Sequence, residues 1–186
     1  MSMTGSGSCP RVDRVVRVPT IGVAIAIPEP WATELQDYRT SVGDATAAQI
    51  PTHITLIPPA EVDEADLDVV AEHLADAAAA VEPFDIHLRG TGTFRPVSPV
   101  VFVTLAEGIA ACEVLAEAVR QGPLELDLDF PYHPHVTVAH HLDDDTLDRA
   151  FDELATFDCR FAVDSFALYV HDQHVGWQPT HQYDLG

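Results

Sequence analysis

The chain has 186 residues, of which 47 % are hydrophobic, enough for one domain or for two small lobes that share a core. Its formal net charge at pH 7 is −21, and all nine of its basic residues are arginine. Because non-specific affinity for nucleic acid comes mostly from neutralised phosphates, this charge argues against long duplex nucleic acid as a partner. A small phosphorylated molecule, or a nucleic-acid end held at one local site, is compatible with it.

The sequence has no apolar run long enough to cross a bilayer and no signal-peptide pattern at its start, so no membrane partner is expected. Its three cysteines are widely spaced and form no Cys-x-x-Cys pair, which favours reduced thiols. We therefore expect a cytoplasmic protein, and we expect it to be a monomer.

In chain order, residues 1–18 have the composition of a flexible arm that carries Arg11, Arg14 and Arg17, and residues 19–186 are expected to form a single bilobal domain. Hydrophobic periodicity predicts strands at residues 21–27, 53–57, 84–94, 100–105, 135–140, 161–171 and 182–185. It predicts helices at residues 31–42, 61–81, 109–121 and from 143–145 to about 156. Pro58 and Pro59 are expected to end the second strand. Strands and helices recur in a similar order in both halves, which predicts two α+β lobes related by a pseudo-twofold axis.

A His-x-Thr motif followed by an apolar residue occurs once in each half, as His53-Ile54-Thr55-Leu56 and His135-Val136-Thr137-Val138. In a strand, residues two apart share a face, so each motif places an imidazole and a hydroxyl side by side. Two such strands in contact would bring two histidines and two threonines together.

These residue types suit phosphodiester chemistry. One neutral imidazole accepts a proton, the other imidazole donates one to a leaving oxygen, and the hydroxyls hold the non-bridging oxygens of the phosphate. No metal or other cofactor is needed. The alternative is that both histidines are hydrogen-bonded strand residues and that the threonines serve β-propensity. A zinc site is a further hypothesis, because four histidines crowd together at His133, His135, His140 and His141.

The motif pair resembles the signatures of the two-histidine phosphoesterase superfamily, and within it the bacterial 2′-5′ RNA ligase and RNA 2′,3′-cyclic phosphodiesterase group. The resemblance covers roughly residues 20–186. It implies an α+β bilobal fold in which two antiparallel-type sheets flank a central cleft, with helices outside. It also implies hydrolysis of 2′,3′-cyclic phosphates of a nucleotide or an RNA end to 2′-phosphates, with reversible 2′-5′ ligation. By the same resemblance, His53 and His135 are the acid and base, in unassigned order, and Thr55 and Thr137 bind phosphate.

One position departs from the family, where an arginine or lysine often stands three residues after the second threonine. This chain has His140 there. Strand alternation points His140 away from His135, so a role in the cleft requires a bend. The departure and the acidic charge favour a small cyclic nucleotide over a long RNA. Further candidates for the cleft are Phe94, Tyr132 and Tyr169, which offer faces for a base. A different interpretation is a non-catalytic module of the same fold that binds a nucleotide or a phosphate end.

Overall fold

The computed structural model describes residues 18–128 and 130–186, so the predicted arm lies outside the described residues except for Val18. The described residues form helices and strands in the following order: β1 (Thr20–Ala26), α1 (Trp31–Ser41), β2 (His53–Glu61), α2 (Leu67–Ala79), β3 (Phe84–Thr93), β4 (Val100–Glu107), α3 (Ile109–Val119), β5 (His135–His140), α4 (Asp144–Glu153), β6 (Asp158–Val163), β7 (Ser165–Asp172) and β8 (Gly176–Asp184).

The strands form an eight-stranded sheet in the order β6-β3-β4-β5-β2-β1-β7-β8. Every pairing is antiparallel, and the two four-stranded halves meet at β2 and β5 through the pair Ile54 and Val136. These halves are the two predicted antiparallel sheets, continuous through one narrow junction. The predicted α+β fold class is thereby confirmed.

Two helices, α1 and α3, pack across the junction between the two halves. Helix α1 follows β1 in the chain but packs against β5, and α3 follows β4 but packs against β2. Each of these helices therefore contacts the strand of the other half that lies at the junction, as a pseudo-twofold arrangement requires. Apolar side chains from both halves form one buried cluster, which includes Leu35 of α1 and Leu115 of α3. The junction that carries the motifs is therefore packed against one helix from each half.

The predicted strand 161–171 is wrong as a single element. It is two strands, β6 and β7, separated by Asp164. Strand β6 pairs with β3 and β7 pairs with β1, so the chain leaves one half of the sheet and enters the other at this residue. Buried residues end with Val163 in β6 and resume at Phe166 in β7, so the alternation shifts by one residue at the polar pair Asp164-Ser165. The continuous apolar run from Phe166 to Val170 hides this shift in the sequence. The last strand also begins earlier than predicted, at Gly176.

The predicted end of the second strand at Pro58 is also wrong, because β2 continues to Glu61. The register with β1 shifts between the pairs Val23–Ile57 and Ile21–Ala60, so the two prolines occupy an irregularity in the ladder. The other neighbour of β2, strand β5, pairs with it only at Ile54 among the described residues. Residues without an N–H group are tolerated at such a bulge beside an open edge.

Candidate functional site

The two His-x-Thr motifs lie beside each other at the junction of the two halves. Ile54 and Val136 pair across the junction and are fully buried. Because side chains alternate along a strand, the histidines and threonines on either side of this pair project from the opposite face. Their side chains are half-buried. Continued by one residue in each direction, the antiparallel register sets each histidine opposite the threonine of the other motif: His53 opposite Thr137, and His135 opposite Thr55.

Each imidazole makes an equivalent hydrogen bond to the backbone carbonyl two residues before it. His53 Nδ1 donates to the carbonyl oxygen of Pro51 at 2.6 Å, and His135 Nδ1 donates to that of His133 at 2.7 Å. A carbonyl oxygen can only accept, so Nδ1 carries a proton in both rings. Nε2 is therefore the nitrogen that each ring has free for proton transfer. Thr55 Oγ1 lies 3.1 Å from His53 Nε2 and donates to it when that ring is neutral.

The environment lowers the pKa of both imidazoles below the ordinary value of 6.5. Burial is the largest cause in each case, because it disfavours the charged ring. The positive charge of Arg39 lowers the pKa of His53 further, and His133 and His53 do the same for His135. The hydrogen bonds to the carbonyls act in the opposite direction. Both rings therefore favour the neutral form near pH 7.

A β-bulge follows each motif immediately. Leu56 is the extra residue of β2 relative to β1, since Ala24 pairs with Thr55 and Val23 with Ile57. Val138 is the extra residue of β5 relative to β4, since Phe102 pairs with Thr137 and Val101 with Ala139. In both strands the bulged residue and its successor are buried together. A bulge reverses the alternation of the residues that follow it.

The second bulge supplies the bend that a cleft role for His140 requires. His140 lines a small pocket together with His53 and Thr137, so it faces the same side of the sheet as the motifs. Burial, and the charges of His141 and Arg39, lower the pKa of His140, although Asp44 raises it. The lowered pKa favours the neutral form of the His140 ring, so this position does not offer the cleft a permanent cation.

Three pockets meet at the motif residues, and we name each after one wall residue. The Phe94 pocket is the largest, with a volume of about 550 Å³, and it reaches Thr55 and His135. The Trp177 pocket has a volume of about 180 Å³ and reaches His53 and Thr55. The Arg39 pocket, of about 100 Å³, reaches His53 and Thr137. Each pocket therefore contains at least one histidine and one threonine of the motifs.

The aromatic candidates all lie at these pockets. Phe94, directly after β3, stands edge-on to His135 with ring centroids 4.9 Å apart. Tyr169 lies on β7 beside β1, and it lines the Trp177 pocket. Tyr132 lines the Phe94 pocket and donates its hydroxyl hydrogen to the carbonyl oxygen of Thr55 at 2.9 Å. Tyr132 thus ties the loop before the second motif to the first motif.

Sequence reasoning missed Arg39 as a neighbour of the site. Arg39 lies on α1 and is only 3 % exposed. In the sequence it occupies an ordinary position of a predicted helix, and no motif marks it. It forms an ion pair with Asp44 at 2.9 Å, and its Nη1 donates to the carbonyl oxygen of Ile50 at 2.7 Å. The loop between α1 and β2 is thereby fixed close to His53. Trp177 of β8 also lines a pocket at the site, and it was not singled out from the sequence.

The zinc hypothesis finds no support in the geometry. Within residues 18–128 and 130–186, no group of three or more histidine, cysteine or acidic side chains is placed to hold a metal ion. None of the helices formed by these described residues is both long and apolar enough to cross a membrane.

Comparison with known proteins places this geometry in a family. A model of the 2′-5′ RNA ligase superfamily matches residues 27–175. A Bacillus licheniformis protein named "Putative phosphoesterase" is 31 % identical over 161 residues, covering 82 % of this chain and 93 % of the relative. A Bacillus cytotoxicus protein with the same descriptive name is 29 % identical over 147 residues, covering 77 % and 84 %.

Solved structures share the fold. Escherichia coli LigT in its apo form superposes with a TM-score of 0.66 at 19 % identity, over 91 % of this chain and 98 % of LigT. The protein TT0787 of Thermus thermophilus superposes with a TM-score of 0.61 at 24 % identity, over 89 % and 97 %. The resemblance drawn from the two motifs is confirmed at the level of family and fold. The chain therefore belongs to the 2′-5′ RNA ligase superfamily, as an enzyme of the phosphoester-cleaving kind.

Proposed function

We propose that this protein is a metal-independent cyclic phosphodiesterase that hydrolyses nucleoside 2′,3′-cyclic phosphates, free or at an RNA end, to 2′-phosphates. One observation carries the proposal. Two imidazoles with the same tautomer lie at the junction of β2 and β5, and a hydroxyl of the other motif stands opposite each of them. LigT, which shares the fold, has been solved with 3′-AMP and with ATP. A nucleotide in the cleft of the present chain is consistent with that likeness.

In the proposed reaction, the neutral imidazole of one motif accepts a proton from water through Nε2 as the water oxygen bonds to phosphorus. The bond between phosphorus and O3′ breaks, and the protonated imidazole of the other motif gives its Nε2 proton to O3′. Thr55 and Thr137 donate hydrogen bonds to the non-bridging oxygens. For this, Thr55 must release its bond to His53 Nε2. With a 5′-hydroxyl in place of water, the same ring-opening step forms a 2′-5′ linkage and frees O3′, which is 2′-5′ ligation. Since the two imidazoles can exchange roles, the site also supports the reverse of ligation, in which O3′ attacks phosphorus and the 5′-hydroxyl leaves.

The direct test is hydrolysis of a panel of nucleoside 2′,3′-cyclic monophosphates with EDTA present, resolving the 2′-phosphate from the 3′-phosphate. We expect turnover that is unaffected by EDTA and that yields the 2′-phosphate. A folded protein that binds these nucleotides without turnover would instead support the non-catalytic binding module. Loss of turnover in EDTA, restored by a divalent metal, would contradict the mechanism.

Small substrates should be preferred to RNA. Arg39 is the one arginine that lines any of the three described pockets, and its charge is already paired with Asp44. A cleft without a free cation among its described wall residues, on a chain of charge −21, offers little to a polyanion. We expect kcat/KM for a mononucleoside cyclic phosphate to exceed that for an RNA oligomer with the same end. Equal or faster turnover of the oligomer at physiological salt would contradict this.

The pH dependence follows from the lowered pKa values of the two histidines. The base acts when neutral, above its pKa, and the acid acts when protonated, below its pKa. Both pKa values lie below 6.5 in the free protein. The bell-shaped profile of kcat/KM, which reports the free enzyme, should therefore peak below about pH 6.5 and fall as the pH rises further. A profile measured across the acidic and neutral range that peaks well above the ordinary pKa of histidine would show that the assigned pair is not the titrating pair.

A further inference from the structure

The Trp177 pocket is not needed for a cyclic mononucleotide. Such a substrate has one nucleoside, and the Phe94 pocket, at about 550 Å³, is the larger space beside the motifs. The Trp177 pocket is a separate space that also borders the motifs. Thr55 lines both pockets, whereas His53 lines the Trp177 pocket and His135 lines the Phe94 pocket. A phosphate held at the motifs therefore has two aromatic-walled pockets beside it.

Separate elements build the Trp177 pocket. Trp177 comes from β8, Tyr169 from β7, and the opposite wall from the loop that precedes β2. The hairpin of β7 and β8 is attached to that loop, since the Trp177 N–H donates to the carbonyl oxygen of Gln49 at 2.9 Å. Gly176 adopts a φ of +78° there, with Gln49 backbone atoms within 2.8 Å of where a Cβ would be. The position of the indole is therefore fixed by backbone contacts.

The floor of the Trp177 pocket is equally specific. Gly22 of β1 lies under the indole, and a Cβ at this residue would stand 3.2 Å from the Trp177 ring. Glycine thus lets the ring lie close to the sheet. No carboxylate or arginine among the described residues lines the pocket, whose walls are aromatic and aliphatic apart from the motif residues at its mouth. Its volume of about 180 Å³ is on the scale of a single ring system. Such a lining suits a flat, uncharged group that stacks.

We infer that Trp177 determines specificity for the leaving group: when the site cleaves a 2′-5′ linkage, the reverse of the ligation in the proposed function, the Trp177 pocket binds the base of the leaving nucleoside while the first nucleoside occupies the Phe94 pocket. The inference rests on the proposed function and adds a leaving-group subsite to it. The 3′-hydroxyl of the first nucleoside gives its proton to one imidazole, and O3′ bonds to phosphorus. The bond from phosphorus to O5′ of the second nucleoside breaks, and the other imidazole protonates O5′. The products are a 2′,3′-cyclic phosphate and a free nucleoside.

The test compares three substrates that share the first nucleoside: the 2′-5′-linked dinucleoside monophosphate, the 2′-phosphate methyl ester, and the 2′,3′-cyclic phosphate. Only the first has a base that can enter the Trp177 pocket. We expect Trp177→Ala to lower kcat/KM for the dinucleoside about 5- to 100-fold relative to the methyl ester, in line with the contribution of one stacked base. Trp177→Phe should recover most of this ratio. Phe94→Ala, as the matched variant of the other pocket, should lower kcat/KM for all three substrates.

The outcomes separate the two proposals. An equal effect of Trp177→Ala on the dinucleoside and the methyl ester, in a variant whose thermal unfolding shows it to be folded, would overturn the subsite. Turnover of the cyclic phosphate without turnover of the dinucleoside would overturn the subsite alone and leave the proposed function standing. Turnover of none of the three by the unmodified protein would overturn both.

Discussion

Replacement of His53 or His135 by alanine should lower kcat for a nucleoside 2′,3′-cyclic phosphate by about 10²–10⁴-fold, the usual contribution of a positioned acid or base. Each variant leaves one imidazole in place, but the in-line reaction needs a proton removed on one side of phosphorus and delivered on the other. The measurement is steady-state kinetics with resolved products. His174→Ala is the matched control, because His174 is exposed and lines none of the three pockets. It should retain full activity.

The double variant His53→Ala/His135→Ala should be little slower than either single variant, because residues that act in one step are strongly non-additive. Thr55→Ala and Thr137→Ala should cost less, with part of the loss in KM, since each removes one donor to the phosphate while both imidazoles stay in place. Single histidine variants that keep most of the activity would contradict the assignment. So would a double variant whose loss is the product of the two single losses.

The repeat in the sequence predicted most of the fold because each motif and its flanking elements follow one local rule. Apolar residues alternate with His53 and Thr55 in β2 and with His135 and Thr137 in β5, so the face that each residue occupies follows from its position. The break at Asp164 was beyond such reasoning. The buried positions shift by one residue at Asp164 and Ser165, but the apolar run from Phe166 to Val170 hides this shift in the sequence. The pairing partners of β6 and β7 show that the chain changes sheet halves there.

The site was predictable in its centre and not in its surroundings. Two bulges turn the strands just after the motifs, and a bulge depends on the register with a neighbouring strand, which one strand's sequence does not state. His140 enters the cleft for this reason. Arg39 and Trp177 reach the site from α1 and β8, elements separated from both motifs along the chain. Their role depends on packing between elements, for which one sequence without relatives carries no local signal.

Replacement of Arg39 should lower the stability of the protein strongly. It is buried against Asp44, which is also buried, at 2.9 Å. Removing one member of such a pair leaves the other charge without compensation, so Arg39→Leu should lower the free energy of unfolding by about 3–5 kcal/mol.

Burial alone would raise the pKa of Asp44, but hydrogen bonds from Thr46 and the charge of Arg39 outweigh it and lower the pKa. This contribution of Asp44 to stability is therefore present above about pH 3.9, the ordinary pKa of aspartate, and is lost as the pH falls through the lowered value.

The double variant Arg39→Leu/Asp44→Leu separates stability from function. Replacing both charges with apolar side chains removes the uncompensated carboxylate, so the free energy of unfolding, measured by urea denaturation, should recover much of the loss. Activity should not recover with it. The carbonyl oxygen of Ile50 has then lost its donor, and the loop that presents the Pro51 carbonyl to His53 is no longer fixed. With the nearby cation gone, the pKa of His53 should rise, because Arg39 lowers it in the intact protein. The pH profile of kcat/KM should accordingly move to higher pH. Wild-type kinetics and an unchanged profile in a stable double variant would show that Arg39 serves the fold alone.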